Sequence, residues 1–138
     1  MSPTPFRILF GLAFVAVTAL TVIPNPGEGP PGTDMTRWVS LFIFGDAQHA
    51  DKVGHLAAYG VLGALGAPSR LAVPRAWLTG PALLAAWGGC LEIVQGFLAA
   101  RQTELLDAAA NASGAGLGWA AGAALVSLAA SLAARRAS

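Results

Sequence analysis

The sequence predicts an all-α polytopic membrane protein: a four-transmembrane-helix bundle with a short interfacial or re-entrant segment in its first outer loop. Three observations point there. Hydrophobic residues make up 55% of the 138 and charged residues only 11%, with a mean hydropathy of +0.61. Soluble domains carry about 25% charged residues, and a chain this short has too little interior to hide so much apolar surface. Four apolar runs are long enough, or nearly so, for about 30 Å of hydrocarbon at roughly 1.5 Å per residue. The rarest polar side chains, finally, gather in one window at the mouth of such a run. HADKVGHLAAYG, 49–60, holds the only Lys (Lys52), both His (His49, His55) and the only Tyr (Tyr59). The length allows one domain, 1–138.

The first run, FRILFGLAFVAVTALTVI at 6–23, is stopped by Pro24-Asn25-Pro26, because proline offers no N–H and blocks a helix interior. Its apolar core is long, its only early charge is Arg7, and PNPGEGPPG is no small-residue cleavage site. It therefore reads as a retained anchor and not as a signal peptide. PNPGEGPPGT is turn-forming and no helix. DMTRWVSLFIFG, 34–45, reads as a short amphipathic helix ending at Gly45, too short to span. Its Trp38, Phe42 and Phe44 suit an interfacial or re-entrant position; an apolar lid packed on the outer helix ends accounts for them equally. The second run extends from Asp51 to Ala67, the third (AWLTGPALLAAWGGCLEIVQGFLAA) covers 76–100, and the fourth runs from Leu106 to Ala134.

Charge orients these runs. With the amino terminus inside, the inner side holds Arg7, Arg70, Arg75, Arg135 and Arg136 and no acid. The outer side holds all seven carboxylates with Arg37, Lys52 and Arg101. Arginine excess in short inner loops and tails sets orientation, so both termini are expected in the cytoplasm.

Residues four apart share a helix face. Asp51, His55 and Tyr59 (i, i+4, i+8) form one stripe reaching about 12 Å inward. Glu92 and Gln95 share a face near the outer end of the third run, and Asp107 and Asn111 open the fourth. Arg101, Thr103 and Glu104 lie in the link between them. Three helices thus bring polar groups to one outer level. An ionisable group facing lipid costs on the order of 3 kcal/mol, so Glu92 is expected to face the interior and meet Lys52, His55 or Arg101. Gly114, Gly118 and Gly122 repeat every four residues, a face that admits a close neighbouring helix.

Other classes find no support. Net charge is +1 and no basic stripe marks a nucleic-acid binder. Cys90, alone in an apolar run, makes no internal disulfide and reads as a small packed side chain. SGAGLG follows no strand and is no nucleotide loop.

The residues together resemble a family. D-K-x-x-H-x3-Y (Asp51, Lys52, His55, Tyr59), E-x-x-Q-x-F (Glu92, Gln95, Phe97) and R-x5-D-x3-N-x2-G-A-x2-G (Arg101, Asp107, Asn111, Gly114, Ala115, Gly118) look like the VanZ-like membrane proteins in order, spacing and position. The resemblance covers roughly 51–118. It implies a small helical integral membrane protein of the bacterial cytoplasmic membrane. The family's name-giving member confers low-level resistance to the glycopeptide teicoplanin, which gives a context of cell-envelope chemistry but no reaction.

Three functions fit these residues. The first is an enzyme at the outer leaflet acting on a lipid-linked or phosphorylated envelope molecule, such as a cell-wall precursor. Lys52 and Arg101 would hold its phosphate or carboxylate. Glu92 or His55 would serve as general base with Asp107 orienting His55 and Asp51 beside them, while Asn111 or Gln95 donates to developing charge and Tyr59 closes the stripe. The second is a binder of a lipid head group or glycopeptide without chemistry. The third is a bundle in which the polar cluster only holds helices in register. No cofactor is evident; a divalent metal on His55, Asp51, Glu92 and Asp107 is a weaker variant, since no HExxH or Cys pair is present. Transport is disfavoured because the inner half offers almost no polar residue to continue a path.

Overall fold

A computed structural model describes residues 2–22, 33–69, 76–98 and 105–137. All regular structure among them is helical: α1 (Thr4–Val22), α2 (Thr33–Phe44), α3 (Ala50–Ser69), α4 (Ala76–Leu98) and α5 (Leu105–Ala137). The bounds fall within three residues of the expected runs wherever the helices are described. Pro24-Asn25-Pro26 and the rest of PNPGEGPPGT up to Gly32 lie outside the described residues; its Thr33 opens α2.

Local chemistry explains several ends. Ser2 Oγ accepts from Thr4 N at 3.4 Å, so Ser-Pro caps α1 with proline where its missing N–H costs nothing. α2 ends as expected at Gly45, whose φ of 78° needs a residue without Cβ. Its N–H closes on Leu41 O at 3.0 Å, and Ser40 Oγ donates to Asp46 O at 2.8 Å. α5 places Arg135 and Arg136 in its last turn, where cations complement the helix dipole.

Contacts fix the course of the chain. Arg7 Nε donates to Ser69 O at 2.9 Å, so the start of α1 lies at the end of α3. Trp87 Nε1 donates to Thr18 Oγ1 (3.1 Å) and Gln95 Nε2 to Thr21 O (2.7 Å), so α4 runs parallel to α1. A methyl at Gly114, Gly118 or Gly122 would strike the carbonyl oxygens of Leu56, Gly60 or Ala64 respectively. Both series rise in steps of four, so α3 and α5 run parallel with their backbones touching. The four long helices therefore alternate in direction, with the start of α1 and the end of α5 at one end. The expected glycine face serves packing within the chain.

The core lies between α3, α4 and α5: Tyr59, Leu62, Leu84, Ala115 and Trp119 are buried. The Trp119 ring fills the space left by Gly66 and Gly80, where an added Cβ would strike it. α1 has no buried residue. Apolar side chains face outward all round, among them Leu12, Val15, Leu83, Phe97, Leu117 and Leu125.

Of the four runs expected to span, α1 and α5 are, among the described helices, both long and apolar enough to cross a membrane. α3 and α4, which carry Asp51, Lys52, His55, Glu92 and Gln95, fall short on that measure. One expectation needs correction, the lid reading of 34–45. Trp38, Phe42 and Phe44 of α2 are exposed at 65%, 80% and 54%, so this aromatic face is turned away from the bundle. Trp38 and Phe42 stack on each other at 5.8 Å.

Candidate functional site

The three polar stripes meet at the end of the bundle opposite Arg7 and Arg136. α3 contributes Lys52, His55 and Tyr59 from its first three turns, α4 contributes Glu92, and α5 contributes Asp107 and Asn111. Burial deepens along the α3 stripe. The Asp51 side chain is 43% exposed, that of His55 18%, and Tyr59 is 1% exposed.

Asn111, 1% exposed, joins two walls. Its Oδ1 accepts from His55 Nδ1 at 3.0 Å, and its Nδ2 donates to Glu92 Oε1 over a long 3.5 Å. An amide oxygen has no proton to give, so neutral His55 holds its proton on Nδ1 and its lone pair on Nε2. Glu92 is 4% exposed, as its expected inward position requires. Its Oε1 stands 3.7 Å from His55 Nδ1, so His55 is among its partners. The hydrogen bond orienting His55 thus comes from Asn111, where Asp107 was expected.

Lys52 Nζ donates to Asp51 Oδ2 at 2.7 Å and lies 3.2 Å from Asp107 Oδ1. That second approach is an ion pair without hydrogen-bond geometry: among the described residues buried Asp107 Oδ1 has no hydrogen-bond partner. The Tyr59 hydroxyl, also buried, has none among them either. An unmade bond at a buried polar atom costs about 1–3 kcal/mol, so the Tyr59 hydroxyl favours a partner. Donor atoms of His55, Glu92 and Asp107 all lie within 4.8 Å of one another.

Gly88, one turn before Glu92, makes room for this arrangement. A Cβ there would lie 2.9 Å from Asn111 Nδ2 and 3.0 Å from Tyr59 Cζ. The sequence reading passed over Gly88; its i, i−4 spacing from Glu92 was the available signal.

Of the residues expected at the site, Lys52, His55, Glu92, Asp107 and Asn111 come together, with Tyr59 beneath and Asp51 at the rim. Gln95 does not join them, since its amide is spent on the Thr21 carbonyl of α1. Arg101 lies outside the described residues. Among the described residues, three carboxylates (Asp51, Glu92, Asp107) face one ammonium (Lys52) and one imidazole (His55). The group can accept, hold and pass a proton between Glu92 and His55, or hold a cation.

At the α2–α3 connection, Asp46 anchors the turn. Its Oδ1 accepts from His49 Nδ1 (3.1 Å) and Gln48 N (2.9 Å). These bonds, His49's first, hold its carboxyl below the ordinary 3.8.

Comparison of the chain with protein-family models, with curated proteins and with solved structures gave no significant match.

Proposed function

We propose that this chain is a VanZ-like protein of the bacterial cytoplasmic membrane that acts on a lipid-linked or phosphorylated envelope molecule. In this reading α1, α3, α4 and α5 are the four spans. Both termini are cytoplasmic, the polar pocket opens at the outer face, and α2 lies in the outer interface. Exposed apolar side chains on every long helix support a lipid surround. So does the alternating helix order, which puts Arg7, Arg135 and Arg136 at the end away from the pocket. Polar groups on the inner faces of α3 and α4 are where a membrane protein carries its function.

The observation that carries a catalytic reading is the buried Glu92–Asn111–His55 relay. Asn111 fixes the tautomer that leaves His55 Nε2 basic, while Glu92 is held nearby as a second proton acceptor. Such a pair removes a proton from an attacking hydroxyl or water and returns it to the leaving oxygen. Lys52 stands at the pocket's rim to meet an anionic group. Chemistry on envelope lipids is also how a link to teicoplanin resistance would arise.

One observation favours the second reading, a non-catalytic binder of a lipid head group or glycopeptide. In the pocket the described carboxylates outnumber the described ammonium three to one, which suits holding a ligand through neutral or cationic groups.

The test compares envelope lipids and cell-wall precursors in cells carrying the wild type, Glu92→Gln or no protein. Catalysis requires a species that changes only with the wild type. Unchanged lipids, with both proteins folded and equally abundant, assign the pocket to binding. Lowered abundance or thermal stability of Glu92→Gln, with lipids unaffected by the wild type, assigns it to holding helices together.

A further inference from the structure

We propose that His55, Glu92 and Asp107 form a site for one divalent first-row transition ion of the Zn2+ or Mn2+ kind. The inference rests on reading the pocket as a functional site, and it does not require that the site be catalytic. One imidazole and two carboxylates make a mixed N/O donor set, which suits these ions better than Mg2+ or Cu+. The three residues come from three helices, and their donor atoms lie within 4.8 Å of one another. Zn–N and Zn–O bonds of about 2.0–2.2 Å need donor separations of about 3.3 Å in a tetrahedral site. Closing the 4.8 Å spread to that separation takes only side-chain rotation at the three residues.

Three independent features point to a ligand here. First, Asp107 is 8% exposed, and a carboxylate this deep strongly favours a neutralising charge. Lys52, which lies 3.2 Å from it, also binds Asp51. Second, among the described residues Asp107 Oδ1 has no hydrogen bond and the Tyr59 hydroxyl, on a residue 1% exposed, has no hydrogen-bond partner. Tyr59 lies one turn below His55, with its Cζ and the Asn111 amide both against Gly88. Its hydroxyl therefore ends beside the cluster, where it would donate to an oxygen bound on the ion. Third, His55 donates its Nδ1 proton to a side-chain carbonyl, that of Asn111. Metal-binding histidines are fixed in this way, with the opposite nitrogen left to the metal.

An ion here adds two positive charges beside the described carboxylates and so gives an anionic phosphate something to approach. Lys52 competes with it for Asp107.

The experiment uses the full chain purified in detergent, stripped with chelator and equilibrated with ZnCl2 or MnCl2 alone. Bound metal is counted by elemental analysis and affinity is measured by calorimetry. Wild type is expected to retain one ion per chain. His55→Gln, Glu92→Gln and Asp107→Asn should each weaken binding by more than about 100-fold, and Asn111→Ala by about 10- to 100-fold. Lys52→Met should tighten binding, a gain that a misfolded variant cannot produce. His49→Ala, which removes the other histidine, should leave affinity unchanged. Failure to retain an ion overturns the proposal. So does an ion indifferent to His55→Gln and Glu92→Gln, or one lost with His49→Ala. Lipid changes with the wild type, together with failure of the purified wild type to retain an ion, would overturn the metal site while leaving the proposed function standing. A bound ion with unchanged lipids would do the reverse.

Discussion

Asn111 offers one carbonyl oxygen and one amide nitrogen, and the site uses both, toward His55 and toward Glu92. Its position depends on Gly88, whose missing Cβ leaves room for the amide and for the Tyr59 ring. Gly88→Ala would add a methyl 2.9 Å from Asn111 Nδ2. Overpacking of this kind costs about 1–3 kcal/mol, and Asn111 has to turn away from Glu92. The expected outcome is a lowered unfolding midpoint in detergent together with loss of whatever Glu92→Gln abolishes. Gly89→Ala, next to open space, should change neither. At this scale the sequence was informative where a residue had no alternative. Glu92, among apolar neighbours, had to turn inward. Gln95 was not legible in the same way. Its spacing from Glu92 placed it on a shared face, but an amide near a helix edge has two neighbours to choose from, and α1 won. Nor did spacing say that Asn111, and not Asp107, would orient His55, because that depends on rotamers on two helices.

Among the elements, α3 and α5 are the most tightly joined. Leu56, Gly60 and Ala64 supply carbonyls opposite Gly114, Gly118 and Gly122, so a side chain at these glycines meets backbone that cannot swing aside. Gly118→Leu is expected to cost about 3 kcal/mol or more and to separate the stripe of α3 from that of α5. Gly116→Ala, with nothing within 4 Å, should be neutral or stabilise by up to about 1 kcal/mol through helix propensity. Chemical unfolding of the two variants in one detergent separates these outcomes. The α2–α3 turn carries the pH dependence. The Asp46 carboxyl is depressed by its bonds to His49 and Gln48. Its stabilising effect is therefore fully present above the ordinary 3.8 and is lost as pH falls through the lower folded value. Carbon-detected NMR titration should place the Asp46 midpoint below 3.8, and His49→Ala should bring it upward. Helix positions were readable because apolar runs, prolines and glycines bound them. The outward turn of α2's aromatic face was not, since a twelve-residue amphipathic helix fits a lid and an interface alike.

For the whole molecule, the exterior decides the environment. Cys90, the only cysteine, is exposed on α4 among apolar neighbours. If α4 spans as proposed, a charged maleimide should leave Cys90 unlabelled in intact membranes and label it after denaturation in detergent. Labelling in intact membranes would remove α4 from the spans. Composition made the helical class legible, because so few charges and so many apolar residues fit little else. The number of spans was less legible: the polar stripes that build a site also lower the hydropathy of the helices carrying them. The alternating course of the chain has a further consequence for entry. α3 and α5 are fused backbone to backbone, whereas α4 is tied by side chains, and two of those ties, from Trp87 and Gln95, lead to α1. One wall of the site is thus backbone against backbone and the other is held by side chains. If α4 spans as proposed, a guest too wide for the present gap would push α4 aside with α1 in tow and arrive sideways from the bilayer.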